Sequence, residues 1–232
     1  MAVVFDIPSM RDDLKAFGKA ARRFIANPRR LRELESQLSN AAAEAKRGDR
    51  EVKWSTEIGA GPIMALASRS YRNDKDEKKI LRADISFDFT GALDAEDDNR
   101  LVIRAGGTRV KLYWEGAEES MSYHFDIHPG AAGHPMLHIQ FAGAVSEIPR
   151  LHSFLAHPLD VLEFTLMELF QEAWRKSRAD ATFASEVRKY PVNQRKRLVA
   201  LLNSYTGWLT STDRALIALL TSPALPLELY PS

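Results

Sequence analysis

Residues 81–114 read LRADISFDFTGALDAEDDNRLVIRAGGTRVKLYW, and this stretch decides the fold class. Leu81, Ala83, Ile85, Phe87 and Phe89 alternate with Arg82, Asp84, Ser86 and Asp88. A period of two is that of a strand with one face on a core and the other in water. The acidic run from Asp94 to Asn99 is a turn that leads to a second strand starting at Leu101. Gly106-Gly107, between LVIRA and TRVKLYW, has the composition of a two-residue hairpin turn, because the tight primed turns need positive φ. Such a turn sets Ile103 opposite Val110 and Leu101 opposite Leu112, with the apolar residues on one face. Upstream, Ile63 to Tyr71 is expected to add a strand.

On either side of this sheet the period becomes helical. Ser9 and Asp12 have capping-box spacing, and Leu14, Phe17, Ala21, Phe24 and Ile25 then recur as on one helix face. Asn27-Pro28 ends that helix, since proline disfavours helical geometry in the residue before it. Leu31, Leu34, Leu38 and Ala42 form the stripe of a second helix, which stops at Gly48. After Pro158 an apolar stripe of Leu162, Leu166, Leu169, Phe170 and Trp174 predicts a helix with proline in its first turn. Further helical segments are expected over 179–189, over 193–203 ending near Gly207, and after the Ser211-Thr212-Asp213 cap. The fold class is therefore α+β, an antiparallel β-meander of about five or six strands flanked by N-terminal and C-terminal helices. We expect one domain over 1–232, with a helical pair over 1–48, the sheet over 60–142 and a helical part over 158–221.

Composition narrows the function classes. The chain has 232 residues, no cysteine, and 32 basic against 31 acidic residues for a net charge of +1. Disulfides, thiolate metal sites and cysteine nucleophiles are excluded, and a reducing, cytoplasmic setting fits. Charge this balanced gives no global pull toward nucleic acid or an acidic membrane, so such a role needs a local patch. No apolar run reaches the roughly 18 residues needed to span a bilayer. Phosphate-cradling glycine loops, the GxSxG elbow and HExxH are all missing. The acidic run 94–98 lacks the glycine and final glutamate of a calcium loop.

Two features carry chemistry. Four of the six histidines lie in SYHFDIHPGAAGHPMLHIQF, where Tyr123, Phe125 and Ile127 alternate with His124, Asp126 and His128. A loop over Pro129–Gly133 would set His128 opposite His134, Asp126 opposite Met136, and His124 opposite His138. Four imidazoles and a carboxylate then share one face of a hairpin. Imidazole with carboxylate suits a divalent transition metal, and a metal-bound water would make a hydrolase. His124, Asp126, His128, His134 and His138 are the candidate ligands, with His152 as a further ligand or proton acceptor. A polar strand face that bonds only locally is the simpler account of the same residues.

The second feature is charge. Arg22, Arg23, Arg29, Arg30 and Arg32 surround the Asn27-Pro28 break, and Arg188, Lys189, Arg195, Lys196 and Arg197 surround Tyr190-Pro191. If the two clusters adjoin, they form a phosphate-binding surface suited to nucleic acid. Glu33, Glu35, Glu44 and Glu186 are interleaved, as on ordinary solvated helices. Surplus apolar residues over 158–176, namely Leu159, Phe164 and Met167, suit a protein partner or a second copy of the chain. Without a reaction motif, the leading expectation is a non-catalytic binding or assembly module, a subunit of a larger bacterial complex. A metal-dependent hydrolase and a nucleic-acid-associated protein are the alternatives.

Overall fold

A computed structural model describes residues 3–73, 75–128, 137–142, 150–180, 190–210 and 227–230. Along the chain these form β1 (Val3–Asp6), α1 (Ile7–Ala21), α2 (Arg29–Arg47), β2 (Glu51–Ser55), β3 (Ile63–Met64) and β4 (Ser70–Arg72). The long strands β5 (Lys78–Leu93) and β6 (Arg100–Trp114) follow, then β7 (Ser120–Ile127), β8 (Leu137–Phe141) and β9 (Arg150–His152). The chain continues with α3 (Pro158–Phe170), α4 (Glu172–Ala179), α5 (Tyr190–Thr210) and β10 (Leu227–Glu228). The fold is α+β, with a ten-stranded sheet and helices from both ends of the chain.

The alternation over 81–89 is realised as the buried face of β5, where Ala83, Ile85, Phe87 and Phe89 lie in the core. Strands β5 to β9 are successive antiparallel neighbours, so the expected meander is present. It is extended on both sides by short strands that carry too few residues to show a period. β2, β3 and β4 share the outer edge of β5, β1 joins β6 antiparallel, and β10 joins β1 in parallel.

Gly106 and Gly107 do not form a turn. β6 runs straight through them, with Gly106 between Phe89 of β5 and Ile127 of β7, and Gly107 between Asp88 and Asp126. A Cβ at Gly106 would lie 2.5 Å from the Asp88 carbonyl and from Phe89 Cδ1, and one at Gly107 would lie 2.2 Å from Asp126 Oδ1. The glycines mark a close approach inside a central strand, another setting in which glycine is required. The β6–β7 turn falls instead around Gly116, which has a φ of +78°.

The helices cover the apolar sheet face. Leu14 and Phe17 of α1 and Leu31, Leu34 and Leu38 of α2 are buried at the expected spacing. Trp54 of β2 donates its indole N–H to the Leu34 carbonyl at 2.9 Å and packs on Phe87, which seats α2 on the sheet. The cap of α1 is Asp6, whose carboxylate accepts from the Ser9 amide at 2.8 Å, in place of the expected Ser9–Asp12 box. One helix over the 158–176 stripe becomes two, divided at Gln171 by a positive φ of 40°. The helix expected over 193–203 spans Tyr190–Thr210 and includes Pro191, since a first-turn proline forfeits no internal hydrogen bond. Residues 181–189 of the segment expected over 179–189, and the segment expected from Ser211 onward, lie outside the described residues. Among the described residues no helix is long and apolar enough to cross a membrane.

Candidate functional site

The other face of the meander is polar, and its register builds two rows across the strands. Ser86, Arg109, His124 and Gln140 make one row; Asp88, Gly107, Asp126, His138 and His152 make the next. His124 thus opposes Gln140, and Asp126 opposes His138, two residues away from the expected pairing. A shift of two keeps every side chain on its face, whereas a shift of one would reverse them all. His124, Asp126, His128 and His138 do share a face; His134 and Met136 lie outside the described residues.

Gly107 interrupts its row, and the missing side chain opens a pocket of about 300 Å³ over Gly106 and Gly107. Glu57, Asp88 and Asp126 line it with Arg109, His124 and His128. Arg109 Nε donates to His124 Nε2 at 3.1 Å. A guanidinium has no acceptor, so this nitrogen carries the imidazole lone pair and the ring proton sits on Nδ1. Burial, and then the Arg109 charge, hold the His124 pKa below its ordinary value. His138 is buried, stands 3.7 Å from Asp126 Oδ2, and stacks on His128 with ring centroids 5.7 Å apart. Among the described residues no group of three His, Asp or Glu is placed to hold a metal ion. His152 Nδ1 is 3.3 Å from the Tyr205 hydroxyl on α5.

The two basic clusters separate. Arg22, Arg23, Arg29 and Arg32 are exposed around the α1–α2 connection. Arg30 points inward and donates to the carbonyls of Gly61 at 2.7 Å, Thr56 at 2.9 Å and Ile58 at 3.0 Å. Arg197 is also interior, 1% exposed, with Asp160 Oδ1 and Asp13 Oδ2 each 2.5 Å away. Neither Arg30 nor Arg197 has a solvent face to offer a phosphate, because each has become the internal partner of groups that burial would otherwise leave unsatisfied. Arg195 and Lys196 are exposed on α5, while Arg188 and Lys189 lie outside the described residues. Lys196 reaches a small cavity with Asp6 and Ser9, at the N-terminal end of α1. The Arg22–Arg32 cluster sits at the opposite end, so no single basic surface forms among the described residues.

Around Arg197 lies a polar network that residue spacing does not reveal. Asp13 on α1, Asp160 and Glu163 on α3, Tyr190, Asn193 and Gln194 on α5, and Tyr230 after β10 meet in the interior. Asp160 binds the guanidinium bidentately, and Asp13 takes its third nitrogen. Arg197, Asp13, Asp160, Glu163 and Tyr190 are buried, Asn193 and Tyr230 reach the cavity that Lys196 lines, and the network ties N- and C-terminal segments together. Sequence reading also missed Glu57, Asp88 and Arg109, which reach the histidine pocket only because distant strands pair. The double glycine was the available signal, had it been read as a strand interior. Neither a protein-family model, nor a curated protein, nor a solved structure matches this chain.

Proposed function

We propose that the chain is a non-catalytic binding module, a cytoplasmic subunit of a larger assembly, whose pocket over Gly106 and Gly107 receives a basic side chain of its partner. The observation that supports this is the charge of the lining: Glu57, Asp88 and Asp126 face one guanidinium, Arg109, which is already engaged with His124. A volume of about 300 Å³ suits a single ammonium or guanidinium group on its stem. The His124 lone pair is taken by Arg109, and Asp126 stands beside His138, so neither is poised as a base over an open reacting position.

The test uses N-acetyl-arginine amide and N-acetyl-lysine amide as probes, followed through the ring protons of His124 and His128 by NMR. Saturable shifts at millimolar concentration are expected, and the Asp88→Asn/Asp126→Asn pair should abolish them. Ring signals that do not move, or shifts that survive the double substitution, would sink the reading. For the assembly half, size-exclusion chromatography with light scattering is the check: a stable monomer that co-purifies with nothing counts against it.

A further inference from the structure

Between α1 and the start of α2 lies a groove of about 480 Å³, floored by Gly18. Its charged lining is entirely cationic: Lys15, Lys19, Arg22, Arg29 and Arg32, with no carboxylate. Lys15 lies 3.5 Å from Glu35, a residue outside the lining that Arg11 also holds at 2.8 Å. Lys19, Arg22, Arg29 and Arg32 make no ion pair among the described residues.

Folding alone accounts for only part of this charge. Lys19 and Arg22 stand at the C-terminal end of α1, where cations complement the helix dipole. Arg30 is consumed by the carbonyls of the 56–61 turn. Arg29 and Arg32 have no such explanation. They stand at the positive end of α2, whose first turn has no acidic residue and whose cap, Pro28, supplies no side-chain hydrogen bond. Two more cations there repel both the dipole and each other, so they burden the unliganded fold. An anion in the groove is attracted by these guanidinium groups and by the positive end of α2, which offsets that repulsion.

The basic lining does not continue along α1 toward α5, where Asp6, Asp97 and Glu228 surround Lys196. Ser9 and Lys19 are separated by ten residues of α1, about 15 Å along its axis. We propose that this groove binds a small ligand carrying two or three adjacent phosphoryl groups. It is independent of the pocket on the sheet, which shares none of its residues.

Isothermal titration at a constant ionic strength of about 0.1 M, without divalent cations, compares tripolyphosphate, orthophosphate, sulfate and a nucleoside triphosphate. Tripolyphosphate is expected to bind at least about tenfold tighter than orthophosphate or sulfate. Equal binding of the nucleotide assigns the site to the phosphate chain, and tighter binding assigns it to a nucleotide; both support the proposal. The Arg29→Gln/Arg32→Gln pair should weaken tripolyphosphate at least about tenfold yet raise the unliganded Tm by about 1–3 °C. Lys19→Gln, on the other helix, should weaken binding in the same direction and serves if the pair does not fold. Equal affinity for the four anions overturns the proposal, as does binding retained in the variants. Tighter binding of a single-stranded oligonucleotide than of tripolyphosphate overturns the compact ligand.

Discussion

The phenol oxygen of Tyr230 lies 2.8 Å from His157 Nε2, joining the last described residues of the chain to the cap of α3. His157 Nδ1 accepts from the Leu159 amide at 3.3 Å, so the neutral ring carries its proton on Nε2 and donates to Tyr230. Tyr230 in turn donates to Asp13 Oδ2 at 3.2 Å. Burial, and then the nearby Arg197 charge, hold the His157 pKa well below its ordinary value, which keeps this direction of donation at neutral pH.

Removing the middle of that chain leaves the buried Nε2–H of His157 without its acceptor, while Asp13 Oδ2 keeps only its bond from Arg197. Tyr230→Phe is expected to destabilise the fold by about 1–3 kcal/mol, measured by urea unfolding. A variant as stable as the parent would show that the tail is not held by this contact.

Asp13 gives the network a pH dependence. Its carboxyl is pushed up to about 6 by burial, which outweighs the opposing pull of Arg197 and the hydrogen bonds from Asn193, Arg197 and Tyr230. The folded pKa is above the unfolded one, so this group's stabilisation is complete below about pH 4 and is lost as pH rises through about 6. His157 acts with the opposite sign, since its depressed pKa gives stability above about pH 6.5 that is lost on acidification. Comparing Tm against pH for the parent and Asp13→Asn isolates the first effect. The parent should gain on the variant between pH 7 and pH 5, and parallel curves would contradict the assignment.

Arg197 holds two carboxylates in the interior, and its loss strands both. Arg197→Met should cost about 3–5 kcal/mol, because removing one partner of a buried pair leaves uncompensated charge. Arg195→Gln, two residues earlier and exposed, should change stability by less than about 0.5 kcal/mol. Equal effects in denaturant titrations would refute the interior placement of Arg197.

Two glycine substitutions separate the strand from the turn. Gly106→Ala places a methyl 2.5 Å from backbone of β5 and is expected to destabilise by about 1–3 kcal/mol. A hairpin turn at the same residues would also resist alanine, so the contrast is Gly107→Ala, whose Cβ strikes Asp126 of β7 and should perturb the His124 and His128 ring signals. Gly18→Ala meets Leu31 only at 3.6 Å within α1 and should stabilise by about 0.5–1 kcal/mol.

What the sequence settled by itself are the properties that repeat along the chain. The alternation over 81–89 and over 123–127 named the strands and sorted their faces, and helical spacing at Leu31, Leu34 and Leu38 named the buried stripe of α2. Facing survives an error of two in register, so His124, Asp126 and His138 share a face although the expected neighbours differ. Partners were decided only by the tertiary structure. Gly-Gly satisfies the needs of a tight turn and of a crowded strand equally, and only the approach of Asp88 and Asp126 shows which applies here. Arg195, Lys196 and Arg197 read as one basic run, yet the helix turns the third inward to carboxylates from α1 and α3. A charge goes to the interior or to solvent according to what lies opposite it, and those counter-charges stand up to 184 positions away in the chain.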